Sequence, residues 1–253
     1  MNYIVTGATG AIGREIAKGI AAKGDTPILA CRNERKGREV AAEIKDAYGI
    51  EPRLLIVNLS DPNSVKNAAS QLTDVKIGGI VNNAGVMNEK LTFDADGKED
   101  TVNVNYTNTR MLTELLLPKL CDGSSIVFTT SATRNWFPFQ NIDKESIGPF
   151  GSYHRLWVYA RSKKLITRYA RQLGKQLRGS GIRVNCTDPG VVDTPMLKMN
   201  AWYDVVCDMV VRPLCLSPKT AAKTALRALY SERTECIFTS PFGSYSNKFW
   251  INV

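Results

Sequence analysis

The chain has 253 residues, 43% hydrophobic and 23% charged, proportions typical of a globular protein that can bury a sizeable core. It contains no run of about 18 apolar residues, so we predict no transmembrane segment, and its net charge of +9 comes without a nucleic-acid-binding motif. The first apolar run begins almost at Met1 and leaves no room for a signal peptide, so we expect a cytoplasmic protein that binds no nucleic acid.

The first apolar run, at 3–5, is followed by the stretch TGATGAIG at 6–13 and by isoleucines at helical spacing. Strand, glycine turn and helix in this order are the context that a dinucleotide fingerprint requires. Gly7 would permit the tight turn, Gly10 the close approach of the backbone to a pyrophosphate, and Gly13 close packing of helix on strand. Because the amides of the helix N-terminus favour anions, the stretch predicts a nucleotide site.

The rest of the chain alternates apolar runs of strand length with stretches of helical periodicity. Predicted strands lie at 27–31, 53–57, 80–82, 126–130, 182–187 and 235–239, and predicted helices at 34–48, 64–72, 98–117, 157–178 and 218–230. This alternation predicts an α/β protein with a Rossmann fold, a doubly wound parallel sheet with helices on both faces. No linker or compositional break divides the chain, so 1–253 is predicted to be a single domain.

The segment after the second predicted strand bears on the choice of dinucleotide. A carboxylate about 20 residues after the glycines would bind a ribose 2′-hydroxyl and select NAD. Arg32 and Asn33 stand there instead, with Arg35 and Lys36 close behind, although Glu34 weakens the signal. Because a guanidinium can pair with a 2′-phosphate through two hydrogen bonds, we predict NADP(H) in preference to NAD(H).

A second motif, YARSK, places Tyr159 and Lys163 four residues apart on a predicted helix. Residues at this spacing share one helix face, so a phenol and an ammonium can serve one site. A nearby ammonium favours the phenolate, and we expect it to lower the pKa of Tyr159 from its usual value of about 10. Tyr159 is therefore a candidate general acid or base.

Basic residues line one face of the same helix. They are Arg161, Lys164, Arg168, Arg171, Lys175 and Arg178. A solvated helix face explains this stripe most simply, and attraction to an anionic partner is the alternative.

The six cysteines form no C-x-x-C pair, and the chain has one histidine, His154. This usage predicts reduced, packed thiols and no metal site. It also disfavours a Ser-His-Asp triad, and His154 is predicted to be a loop residue.

Taken together and in order, the motifs resemble those of the short-chain dehydrogenase/reductase family, in particular its compact members. The matching segments are TGATGAIG, NNAG at 82–85, Ser131 in IVFTTSAT, YARSK, and PGVVDT at 189–194. The resemblance covers nearly the whole chain, and several independent motifs are far more specific than one glycine loop.

The resemblance implies roles for the matching residues. Tyr159 would be the catalytic acid or base, Ser131 would orient the substrate oxygen, and Lys163 would bind the nicotinamide ribose. An asparagine in the helix after the fourth strand would complete a proton relay; Asn105 is the best match and Asn103 the alternative. The implied cofactor-binding residues are Gly7, Thr9, Gly10, Ala11, Ile12, Gly13, Arg32, Asn33, Asn58, Leu59, Asn83, Ala84, Gly85, Tyr159, Lys163, Pro189, Gly190, Val192 and Thr194.

Two departures from the compact pattern stand out. The glycine spacing GxxGxxG is more familiar in the extended members of the family, many of which act on nucleotide sugars. The interval from Ser131 to Tyr159 is also long, and its insert, like ACRN at 30–33, resembles the retinol-dehydrogenase-like branch. We predict a substrate-mouth loop at 132–156, which either contributes to a pocket or packs on itself. Its aromatic residues include Trp136, Phe137, Phe139 and Phe150.

These observations predict an NADP(H)-dependent oxidoreductase that transfers hydride between nicotinamide and a carbonyl or secondary alcohol. An epimerase or dehydratase, and a catalytically idle NADP-binding sensor or scaffold, are the alternatives. The methionines and aromatic residues at 191–217 suit a lid over an apolar substrate, and they also suit core packing or a dimer contact. We further expect a homodimer or homotetramer, with a small carbonyl or alcohol compound as the substrate.

Overall fold

The computed structural model of the protein describes residues 1–73, 75–94, 96–193, 215–240 and 243–245. The strands are β1 Asn2–Thr6, β2 Thr26–Cys31, β3 Arg53–Ile56, β4 Ile77–Asn82, β5 Leu120–Thr129, β6 Arg183–Asp188, β7 Ile237–Thr239 and β8 Gly243–Tyr245. The α-helices are α1 Ala11–Ala21, α2 Glu34–Tyr48, α3 Pro62–Ser70, α4 Asp100–Val102, α5 Asn108–Leu116, α6 Arg155–Gln176 and α7 Pro218–Tyr230. None of the helices in these ranges is long and apolar enough to cross a membrane.

The strands form one sheet in the order β3-β2-β1-β4-β5-β6-β7-β8. The first seven are parallel, and β8 runs antiparallel to β7. The strand order reverses at β1, which pairs with β2 on one side and with β4 on the other. In a sheet of this kind ligands bind beyond the carboxyl ends of the strands at such a reversal. The predicted Rossmann fold is confirmed.

The core lies on both faces of the sheet. Ile4 packs with the cluster under α3 and α5, and its neighbour Val5 packs with the cluster under α1 and α7. Successive residues of a strand point to opposite faces, so adjacent apolar residues in β1 supply both layers. A sheet covered on both sides explains why its strands read as continuous apolar runs.

Local capping explains the helix ends that the sequence locates. The side chain of Asn33 accepts from the amide of Lys36 at the start of α2, and Gly49 ends the helix with φ of 68°. Ser217 caps α7, which has Pro218 in its first turn. His154 likewise caps α6, because its Nδ1 accepts from the amide of Trp157 at 3.2 Å. Asparagine, serine and a left-handed glycine are the residue types that such ends favour.

The helix predicted at 98–117 is present, since the chain is helical from Asp100 to Leu116. The prediction did not foresee a π-helical segment, Asn103–Thr107, which separates α4 from α5. The side chain of Asn105 in this segment exchanges hydrogen bonds with the backbone of Val86, its Oδ1 accepting and its Nδ2 donating, both at 2.8 Å. The widened turn therefore points a buried asparagine at the loop that follows β4, and π-bulges of this kind are frequent at functional sites.

The basic face of α6 is not uniformly solvated, which corrects the expectation of an exposed stripe. Arg161 and Lys164 are buried, and they donate to the backbone carbonyls of Ile142 and Phe137. Both acceptors belong to the long loop at 136–146, which lies across this face of the helix. Arg168 forms an ion pair with Asp143 of the same loop. Three of the six basic residues, Arg161, Lys164 and Arg168, therefore hold the loop.

Candidate active site

A cavity of about 830 Å³ opens at the carboxyl ends of β1 to β6. Most of the predicted site residues line it. They are Gly7, Thr9, Gly10, Ala11, Ile12, Gly13, Arg32, Asn58, Leu59, Asn83, Ala84, Gly85, Ser131, Tyr159, Lys163, Pro189, Gly190 and Val192. Asn33 and Asn105 are not on this lining, and Thr194 lies outside the described residues.

The glycine turn leaves the N-terminus of α1 open toward the cavity. Gly7 takes the left-handed conformation with φ of 66°, and Gly10 occupies the cap position without a side-chain hydrogen bond. The first turn of α1 holds no acidic residue. By contrast, side chains cap the N-termini of α2, α3, α6 and α7, and α5 continues directly from the π-helical segment before it. Unpaired amides at a helix start suit a phosphate group, so the residues present fit a dinucleotide.

Gly10 and Gly13 differ in what a side chain would meet. A Cβ on Gly13 would overlap the carbonyl oxygen of Gly7 and would lie 2.8 Å from Nδ2 of Asn83. A Cβ on Gly10 would meet only that carbonyl oxygen, at 3.3 Å. Gly13 is therefore required by packing of the protein itself, whereas Gly10 leaves room in the cavity.

We expect Gly10→Ala and Gly13→Ala to separate binding from stability. Gly10→Ala should weaken dinucleotide binding by about tenfold or more, because the added methyl group would keep the phosphate from a hydrogen bond at the helix start. The free energy of unfolding should change little. Gly13→Ala should lower that free energy by about 1–3 kcal/mol through overpacking. Urea unfolding and cofactor titration measure the two effects; equal destabilisation of both variants would contradict this assignment.

The end of the cavity next to β2 presents an arginine. Arg32 lines the cavity, and no ion pair involving it occurs among the described residues. The carboxylate of Glu34 would repel a phosphate, but it forms an ion pair with Arg38. Arg35 forms an ion pair with Glu39. The nearby carboxylates are therefore neutralised by other residues, which leaves the guanidinium of Arg32 available to an anion.

Residues after β3 and β4 form the opposite wall of this end. Asn58 and Leu59 line the cavity, and the amide of Asn58 donates to Oγ of Ser64 at 2.9 Å. Nδ2 of Asn83 donates to the carbonyl of Thr6, and this hydrogen bond holds the loop after β4 against β1. The predicted NNAG motif thus joins the two strands that flank the reversal point of the sheet.

Ser131, Tyr159 and Lys163 meet at the other end of the cavity. Ser131 follows β5, and α6 brings Tyr159 and Lys163 to the same wall. Nζ of Lys163 donates to the carbonyl of Thr129 at 2.9 Å and lies 5.4 Å from the centroid of the Tyr159 ring. The three side chains that the sequence separates over 33 positions are therefore brought together.

The predicted lowering of the Tyr159 pKa is wrong for this arrangement. The pKa of Tyr159 is raised to about 12, mainly by burial and also by the Asp188 carboxylate, while a hydrogen bond with Ser131 acts in the opposite direction. Burial also lowers the pKa of Lys163 to about 8 against the effect of Asp188. The reason is desolvation, which disfavours the charged form of each group and which residue spacing alone does not report.

Asn105 and Asn103 occupy different surroundings. Nδ2 of Asn105 donates to Oγ of Ser162 at 2.9 Å in addition to its bonds with Val86, whereas Nδ2 of Asn103 donates to Asp94 at 2.6 Å. A Cβ on Gly85 would lie 3.3 Å from Oδ1 of Asn105 and 3.4 Å from Nζ of Lys163. The glycine therefore leaves the space between Asn105 and Lys163 open.

The segment predicted as a loop at 132–156 contributes to the cavity and also packs on itself, but its last two residues already belong to α6. Trp136 of the loop and Leu156 of α6 line the cavity. The ring of Phe137 packs edge-on against His154 within the segment, and it lies tilted against Trp157 of α6 with ring centroids 5.0 Å apart. Phe139 is 97% exposed, and the side chain of Phe150 lies outside the described residues. Of the predicted lid at 191–217, only 191–193 and 215–217 are described, so its methionines at 196, 199 and 209 and its aromatic residues at 202 and 203 lie outside.

Sequence reasoning missed Asp188 and Met87, which line the cavity, and Arg134, which pairs with Asp188. Arg134, three residues after Ser131, donates to Asp188 at 3.0 Å, and both side chains are buried. Asp188 stands directly before the predicted PGVVDT motif, and Met87 follows NNAG by two residues. Proximity to a recognised motif was the available signal for each of them.

Fold and cavity together are those of a Rossmann-type α/β protein whose open helix start suits a dinucleotide. A profile of the family described as enoyl-(acyl carrier protein) reductase matches residues 7–237. The chain belongs to the short-chain dehydrogenase/reductase family and is an oxidoreductase. The predicted family and enzyme class are confirmed.

Named relatives and solved structures agree with this assignment. Retinol dehydrogenase 11 of Homo sapiens is 30% identical over 249 residues, which cover 94% of this chain and 76% of the relative. Polyprenol dehydrogenase of Mus musculus is 34% identical over 210 residues, 79% of this chain and 62% of that protein. A short-chain dehydrogenase of Shigella flexneri complexed with NADP has a TM-score of 0.72 and 25% identity, covering 94% of this chain and 95% of that one.

Proposed function

We propose that the protein transfers hydride between NADP(H) and the carbonyl or secondary alcohol carbon of an apolar substrate. The observation that carries the proposal is one cavity with Ser131, Tyr159 and Lys163 at one end and an uncapped helix start at the other. The open helix start is suited to the pyrophosphate, and the hydroxyl groups are suited to a substrate oxygen.

The chain's own residues orient the substrate and move the proton. The cofactor would supply the hydride chemistry. The hydroxyls of Ser131 and Tyr159 donate to the substrate oxygen, and Tyr159, protonated at neutral pH, gives its proton to that oxygen during reduction. Behind the phenol, the proton path continues through Lys163, whose ammonium donates to the carbonyl of Thr129. It then reaches Asn105, on the far side of the open space at Gly85.

The preference for NADP(H) over NAD(H) is part of the proposal. Arg32 lines the cavity where the adenosine ribose would lie, and Arg38 neutralises the carboxylate of Glu34. A guanidinium in this position favours a 2′-phosphate over a hydroxyl. The Shigella flexneri neighbour was solved with NADP, which agrees with this preference.

Arg32→Ala should weaken NADPH binding by roughly 10- to 100-fold and leave NADH binding nearly unchanged, because a charge-assisted contact worth about 1.5–3 kcal/mol is lost. Fluorescence titration of both cofactors measures this difference. Arg35→Ala is the matched control, since that guanidinium pairs with Glu39 and is not on the cavity lining. Equal losses for NADPH and NADH in Arg32→Ala would show that Arg32 does not read the phosphate.

The cavity lining supports an apolar substrate. The cavity that holds Ser131 and Tyr159 is also lined by apolar side chains, among them Val86, Met87, Trp136, Leu156 and Val191. Trp136 is 58% exposed at the mouth of the cavity, where a substrate could cover it. The relatives named for retinol and polyprenol bear the names of apolar alcohols, which agrees with this lining.

A panel of carbonyls assayed with NADPH tests the proposal directly. We expect turnover of long-chain or ring-containing apolar aldehydes and ketones, and little turnover of small polar ones of the same reactivity. Preference for the small polar compounds would overturn the apolar assignment, and absence of hydride transfer to every compound would overturn the function. The homodimer or homotetramer and the cytoplasmic location stay predictions.

A further inference from the structure

Arg134 and Asp188 form a buried ion pair beside Ser131, Tyr159 and Lys163, the end of the cavity that we call the reactive end. Asp188 lines the cavity, whereas Arg134 does not. Nη1 of Arg134 lies 3.0 Å from Oδ2 of Asp188, and the two side chains are only 5% and 8% exposed. A buried pair of this kind is seldom justified by stability alone, since its desolvation cost is comparable to its attraction. Because its carboxylate lines the cavity, we looked to the reaction for the reason that the pair is present.

The pair connects the two loops that frame the reactive end. Nη1 of Arg134 also donates to the carbonyl of Ser131 at 2.7 Å, and the amide of Arg134 donates to the same oxygen at 3.1 Å. On the other side, Oδ1 of Asp188 accepts from the amide of Gly190 at 3.2 Å. Both carboxylate oxygens are thus used, one for the turn after β5 and one for the segment after β6.

The carboxylate of the pair also acts on Tyr159 and Lys163 of α6. Both members of the pair act on Cys186 of β6. Asp100 of α4 lines the same cavity. Since Asp188 raises the pKa of Tyr159 and of Lys163, loss of its charge lowers both values and shifts any alkaline decline of the reaction to lower pH.

We propose that Arg134 and Asp188 are positioning residues for hydride transfer, which hold the Ser131 hydroxyl and the segment at 189–192 in one fixed relation across the cavity. The proposal rests on the proposed function, because the reaction gives that relation its purpose. It assigns no contact between the pair and the substrate.

The double variant Arg134→Gln/Asp188→Asn tests the proposal without leaving a buried charge unpaired. The amide introduced at position 188 can still accept from Gly190, so folding is expected to survive. We expect NADPH affinity within about threefold of wild type, single-turnover hydride transfer slower by about 10²-fold, and an alkaline midpoint moved to lower pH. Hydrogen–deuterium exchange at 131–136 and 188–193 should be faster.

The matched control is Arg178→Gln/Glu235→Gln, which neutralises an ion pair outside the cavity and should leave hydride transfer near that of wild type.

Hydride transfer within about threefold of wild type, or slower transfer with unchanged exchange in both segments, would overturn the proposal. If the double variant does not fold, Arg134→Lys carries the test: a lower kcat at unchanged KM supports positioning, and a wild-type kcat overturns it. If the wild-type enzyme reduces no carbonyl, the proposed function has failed, and the exchange comparison alone decides whether the pair holds the two segments.

Discussion

Tyr159→Phe should slow carbonyl reduction by at least about 10²–10⁴-fold, the contribution of a positioned general acid, while NADPH affinity stays nearly unchanged. The substitution keeps the ring and its buried packing on α6 and removes only the hydroxyl. Because burial raises the pKa of Tyr159 to about 12, the phenol is protonated at neutral pH and is ready to donate. Single-turnover hydride transfer and cofactor titration are the paired measurements.

The control for this variant is Tyr153→Phe, which removes a phenol that donates to the carbonyl of Asn88 instead of lining the cavity. We expect turnover of Tyr153→Phe to stay near that of wild type. Wild-type turnover in Tyr159→Phe would show that another group supplies the proton, and the mechanism proposed above would be wrong.

Lys163→Ala should damage cofactor binding and turnover together, each by roughly 10- to 100-fold, because one ammonium is assigned both to the ribose and to the tyrosine. Lys163→Met is the matched variant, since it preserves most of the side-chain volume and removes only the charge. Both should behave alike if the charge is responsible. A large loss in Lys163→Ala with near-normal Lys163→Met would indicate a packing role.

The pH dependence follows from the same residue. Lys163 has a pKa of about 8, so its ammonium is present below that pH and lost above it. Wild-type reduction should therefore decline above about pH 8, whereas Lys163→Met should show no decline in that region. Because Tyr159 stays protonated up to about pH 12, its own titration does not contribute there. A wild-type rate that is flat to pH 10 would contradict the role of Lys163.

Features set by local chemistry were predictable from the sequence. Both α2 and α7 begin and end where predicted, because Asn33, Gly49 and Ser217 determine those ends through contacts a few residues away. The order of the motifs also predicted which side chains gather at the carboxyl edge of the sheet, since parallel strands bring successive loops to one edge.

Features set by distant contacts were not predictable in this way. The π-helical segment depends on contacts of Asn105 with Val86 and Ser162, which are 19 and 57 residues away. The pKa of Tyr159 depends on burial by the assembled fold, and the partners Arg134 and Asp188 are separated by 54 residues. Motif spacing carries no information about desolvation or about such pairings.

The loop packed across α6 has a consequence for exchanging parts between related enzymes. Its carbonyl groups at Phe137 and Ile142 are the acceptors for Lys164 and Arg161, two cations that the loop removes from water. A shorter loop grafted from a relative would leave both cations without these acceptors. A longer graft packed on this helix face would collide with the side chains of residues 161 and 164. The loop and this helix face therefore form a single transferable unit, and chimeras designed to alter substrate choice must carry residues 161 and 164 with the loop.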